Sequence, residues 1–129
     1  MNIRRTIFAV SVLFCSSASA YEQPMVVSYA VQPINHFNQQ LSQAQIESLK
    51  WTQAPESISA HYSGENFSLA RVKNFQGKVV TYSVSQQSDK HPKMLLILSM
   101  EKQKGLWTLE GAKLTWQCKN GLHFGTDRC

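Results

Sequence analysis

The sequence predicts an α+β fold: one N-terminal amphipathic helix packed on an antiparallel β-meander of five to seven strands, with a disulfide at the C-terminal end. Three observations carry this expectation. A helix-start signal precedes Pro55, the hydrophobic period changes from helical to two after it, and the glycine-bearing turns between apolar segments are too short for parallel crossovers.

Residues 1–20 read as a cleavable secretory signal. Arg4 and Arg5 form a positive n-region, residues 7–14 an apolar run, and Ala18-Ser19-Ala20 a small-residue cleavage site. The run is far shorter than the roughly 20 residues a membrane helix needs. The exported chain is therefore expected to begin at Tyr21 and to form a single small domain, residues 21–129, with no membrane span. Cys15 follows the bulky Phe14 where lipid attachment would want a small residue, and the Arg4-Arg5 pair sits in an ordinary n-region. Loss of the signal lowers the formal charge from +5 to +3, so the basic balance is not a nucleic-acid signature. It also removes Cys15 and leaves Cys118 and Cys129, which in an exported chain read as one bridge. Closing such a loop contributes on the order of 3 kcal/mol in the chain-entropy model.

Residues 21–40 are rich in Gln, Asn and Pro. Val27, Tyr29 and Val31 alternate as a strand would until Pro33 stops them, and His36 and Phe37 are expected in a loop that packs on the domain. The helix is expected to start at Leu41-Ser42-Gln43-Ala44-Gln45-Ile46. Ser42 is the cap, Gln45 completes a capping box, and Leu41 staples onto Ile46. Ala44, Leu49 and Trp51 fall on one broad face, and Pro55 ends the segment.

Beyond Pro55 the sequence alternates. Ile58, Ala60 and Tyr62 mark one strand, Val80, Tyr82 and Val84 another, and Leu114 and Trp116 a third, each with one buried face. Residues 94–98 are apolar at both parities, the pattern of a central strand covered on both sides. Residues 67–73 switch parity between Leu69 and Ala70-Val72, which suggests a bulge or a two-sided strand. Ser63-Gly64, Gln76-Gly77, Lys104-Gly105 and Glu110-Gly111 supply the turns, and residues 86–92 form a long polar connection expected to be mobile.

Few residue patterns point to catalysis. His36, His61, His91 and His123 show no ligand spacing, and Ser63 lacks the glycine that precedes a nucleophile elbow. His61 with Glu56 or Glu65 reads as a surface polar cluster, and the acidic residues show no paired spacing. Arg71, Lys73 and Lys78 around Phe75, with Lys90 and Lys93 beyond, could track a nucleic-acid strand, but they are read here as guards of a sheet edge. Asn66-Phe67-Ser68 matches a glycosylation sequon, a short and unspecific pattern.

The surface most suited to recognition is the loop between the two cysteines. Asn120-Gly121 and Gly125 each suggest a turn, and Leu122, His123, Phe124 and Arg128 are the candidate binding residues, since a preorganised loop loses little entropy on binding. The competing expectation is that Leu122 and Phe124 fold back as a lid on the core.

The run Leu114-Thr115-Trp116-Gln117-Cys118, with Cys129 beyond it, is similar to the C-terminal disulfide region of type IV pilin globular domains. Their layout of a helix followed by an antiparallel sheet also resembles the one predicted. The resemblance stops at this short segment, because a conventional signal stands where that family has a prepilin leader and a long apolar assembly helix. A pilus subunit is not the expectation.

The sequence thus leads to a small exported, periplasmic or secreted, binding or accessory protein of a bacterial envelope, without enzymatic activity. Its expected partner is an envelope or extracellular protein rather than nucleic acid, and no cofactor or metal is expected. Two alternatives stand beside it: a periplasmic inhibitor or immunity protein acting through the 118–129 loop, and a small histidine-dependent hydrolase.

Overall fold

Two tight turns set the frame of the sheet. Gln76-Gly77 and Lys104-Gly105 both have left-handed backbone at each residue, with φ of 47° and 80° in the first and 52° and 81° in the second. This is the two-residue hairpin geometry whose twist matches paired strands, and glycine adopts its second position without a Cβ penalty. The turns join β2 (Phe67–Phe75) to β3 (Lys78–Ser85) and β4 (Lys93–Gln103) to β5 (Leu106–Gln117). The computed structural model describes residues 25–129; the expected secretory signal, its expected cleavage site and Cys15 lie outside the described residues.

With the short strand β1 (Ala30–Val31), the described residues form one five-stranded antiparallel sheet in the order β1-β5-β4-β3-β2. Two helices, α1 (Asn35–Ile46) and α2 (Pro55–Ser63), are linked by a 3-10 turn (Lys50–Gln53) and pack on one face of it. The core between the layers is Phe37, Leu41, Ile58, Leu96, Leu98, Met100, Leu109 and Ala112. The α+β class, the antiparallel meander and the disulfide agree with the sequence, and the strand number falls at the low end of the expected range. No helix among the described residues is long and apolar enough to cross a membrane.

The helical layer differs from expectation in register. α1 begins at Asn35, so His36 and Phe37 are helical rather than in a loop, and Ser42 lies inside the helix, not at its cap. The buried stripe is Phe37, Leu41 and Ala44, four and then three residues apart, whereas Ile46 is 77 % exposed. Burial of Phe37 outweighs a local capping pattern that would have started the helix about two turns later. Pro55 does not end a helix; it occupies the first turn of α2, where its missing N–H costs nothing. The expected strand around Ile58 is this helix, and Ile58 and Tyr62 are one turn apart on the side that packs on the core.

The faces of β3 are also exchanged. Its buried side is Val79, Thr81, Ser83 and Ser85, while Val80, Tyr82 and Val84 are half-exposed on the side away from the helices. Small hydroxyl side chains let α2 come close: Ser59 on α2 lies 3.2 Å from the Ser83 hydroxyl and accepts a bond of 3.1 Å from Thr81. All three are buried, and each satisfies another. On β4 the inner face is Leu96, Leu98 and Met100, and Ile97 on the other parity is half-exposed, so the double cover expected there is partial. Val27, Tyr29 and Val31 likewise carry exposed side chains, and only Ala30 and Val31 pair with β5.

Two irregularities steer the strands. The parity switch in β2 is a bulge between Leu69 and Arg71, as its sequence suggests. Glu110-Gly111 is not a turn; it lies within β5, where Glu110 is the extra residue between the pairs Ser99 to Gly111 and Met100 to Leu109. Ser63-Gly64 closes α2, the Gly64 amide bonding the Ala60 carbonyl.

Candidate functional site

β5 delivers the chain to Cys118, and the bridge to Cys129, with a Cα separation of 5.4 Å, closes the loop the sequence anticipates. Asn120 has φ of 67°, and the Gly121 amide bonds the Cys118 carbonyl at 2.8 Å, so the Asn-Gly turn forms. Gln117 ties down its far side, donating from its side chain to the Gly121 carbonyl at 2.8 Å.

Gly125 is not a second turn. It pairs with Trp116 in both directions, and a Cβ there would lie 3.2 Å from Val27 Cγ2, so its role is to let two backbones approach. The adjoining residues are stitched to the body. The Phe124 amide donates to the Met25 carbonyl and its carbonyl accepts from Val27; Ser28 bonds both the Thr126 amide and hydroxyl; the Trp116 indole donates to the Asp127 carbonyl at 2.7 Å. The Thr115 hydroxyl, fully buried, sits 2.9 and 3.1 Å from the carbonyls of Ser28 and Gly125.

The four candidate binding residues therefore separate. Phe124 is 4 % exposed, so the lid expectation describes this residue. Leu122 is 85 % exposed, the highest value among the exposed large hydrophobic side chains of the described residues. His123 and Arg128 are exposed as well. The disulfide, the Asn-Gly turn and the Phe124 anchor hold two ends of a loop whose middle carries Leu122 into solvent.

Sequence reasoning missed the neighbour of this loop. Residues 87–92 curl back beside Lys119 and Cys129 and line with them a cleft of about 400 Å³, whose charged groups are Asp89, Lys90 and Lys119 beside His91. The connection is closed by reciprocal backbone bonds between Ser88 and His91 and by the Ser88 hydroxyl, which accepts from the His91 amide. A second depression, about 240 Å³ between Gln45, Thr52, Lys102 and Trp107, contains none of the candidate residues.

The histidines are spread apart. His36 contacts Gln40, His61 stacks on Trp51 with ring centroids 3.7 Å apart, His91 lines the cleft and His123 stands on the loop. Among the described residues no group of three His, Cys, Asp or Glu side chains could hold a metal ion. Tyr62 joins the cluster of Phe37, Trp51 and His61 and donates to the Pro33 carbonyl; burial raises its phenol above the usual range. The hydrogen bond donated by the Gln103 amide holds the Glu101 carboxyl below its ordinary value, aided by Lys78, which pairs with Glu110 at 3.2 Å.

The chain matches no family model, no curated protein sequence and no solved structure.

Proposed function

We propose that this chain is a small exported, non-catalytic binding protein of a bacterial envelope, and that it recognises a partner protein with the 118–129 loop. One observation carries the reading: a disulfide, a tight turn and a buried phenylalanine fix a loop that holds Leu122 almost wholly in solvent. An apolar side chain on a rigid support gains on burial by a partner and has little ordering entropy to lose. Lys119, Arg128 and the cleft beside the bridge supply a polar rim. A partner enzyme, inhibited by the same loop, is the alternative that this geometry also serves.

The test separates two neighbouring residues. The oxidised exported protein, immobilised on beads, is used to capture its partner from envelope extracts beside two variants. Leu122→Asp is expected to lose the captured partner while melting as the parent does. Phe124→Ala is expected to lose roughly 3–5 kcal/mol of stability, as a truncated buried phenylalanine does. Capture that survives Leu122→Asp would overturn the reading.

A further inference from the structure

The sheet face turned away from the helices carries its own chemistry. The strand registers align Arg71, Tyr82, Ile97 and Lys113 in one row across β2, β3, β4 and β5. With strands about 4.8 Å apart, the backbones of the two cations in this row lie about 14 Å from each other. Lys73 occupies the next row beside Val80, and Phe75, 57 % exposed, the row after it. Val31 continues the central row past β5, and Tyr29, 47 % exposed, two residues before it, places its ring 5.3 Å from the Lys113 ammonium.

The face is thus cationic with aromatic side chains set between the cations. Its acids, Glu101 and Glu110, gather with Lys78 at one end. The helical layer has the opposite balance, with Glu47, Glu56 and Glu65 against Lys50. Guarding an edge does not account for Lys113, which lies on a strand paired on both sides, with Val31 and with Ile97. A second copy placed face to face would set like charges against each other.

We infer that this face binds single-stranded nucleic acid, with Arg71, Lys73 and Lys113 following the phosphates and Tyr82 offering a stacking platform. Cations that track a backbone, interleaved with aromatic rings that accept any base, are the features such binding requires. The site is distinct from the disulfide loop, and its test uses variants that leave the loop intact.

The experiment is fluorescence anisotropy of a labelled oligothymidine titrated with the oxidised exported protein. Binding is expected at about 10 µM or tighter in low salt, with log affinity falling against log salt with a slope of about −2 for three phosphate contacts. Tyr82→Leu, and separately Arg71→Gln with Lys113→Gln, should each weaken binding about tenfold, with only the double variant flattening the salt slope. Leu122→Asp should leave the affinity unchanged, so failure here is independent of the partner-binding loop. Melting curves establish that each variant is folded. No binding in low salt would overturn the proposal. So would equal competition by dextran sulfate at matched charge with no effect of Tyr82→Leu, since the face would then be a polyanion exchanger.

Discussion

Asn38 shows how one side chain can close an edge. Its amide donates to the Leu109 carbonyl and accepts from the Leu109 amide, both at 2.9 Å, beside the bulge at Glu110. One turn pair later on α1, Gln45 donates to the Trp107 carbonyl at 2.8 Å. Asn38→Ala would leave both Leu109 groups without their partner, and a loss of about 1–3 kcal/mol is expected by urea denaturation. Tyr62 gives a pH-dependent companion. Because burial raises its pKa above the unfolded value, its contribution is complete below about pH 10 and is lost as the pH rises through the raised folded value. Tyr62→Phe should cost about 1 kcal/mol at neutral pH, from the lost bond to Pro33, and should show a shallower alkaline fall in stability than the parent. An equal alkaline slope in the two proteins would contradict the assignment.

The elements differ in how legible they were. Hairpin turns, the β2 bulge and the Cys118 to Cys129 bridge follow from local chemistry, a left-handed turn, a parity switch and a cysteine pair, and the sequence displays each. Helix positions and strand faces depend on what packs against them. Ile58, Ala60 and Tyr62 alternate as a strand would, yet Ile58 and Tyr62 also stand one helical turn apart, and exposure of Ala60 decides for the helix. Val80, Tyr82 and Val84 read as an inner face because they are apolar, but the helix side of β3 uses hydroxyls that match Ser59. At the candidate site the bridge was legible, while the burial of Phe124 and the approach of residues 87–92 depend on contacts with distant segments. The hydroxyl contact makes a prediction at this scale. Ser59→Leu should crowd α2 away from β3 and deprive Ser83 and Thr81 of their partner, lowering stability by about 2 kcal/mol or more in thermal melts. A melting temperature equal to that of the parent would mean that α2 does not rest on those hydroxyls.

In the molecule as a whole, the two edges of the sheet and its C-terminal end are managed by different devices. α1 covers the edge of β5 beyond its pairing with β1, and the bulge in β2 interrupts the other edge. Removing the bridge with Cys118→Ser and Cys129→Ser should lower stability by about 3 kcal/mol at most, because the core of α1, α2 and the meander does not include the loop. What the bridge does for the molecule is hold Leu122 outward. The most direct measurement replaces Leu122 with a photo-crosslinking amino acid in cells that export the protein, with the same replacement at exposed Glu47 on the helical side as the control. A discrete protein adduct is expected from position 122, absent from position 47 and lost when both cysteines are serine. No adduct from position 122 in cells where the protein is folded and exported, or the same adduct from position 47, would contradict a partner-binding role for the loop.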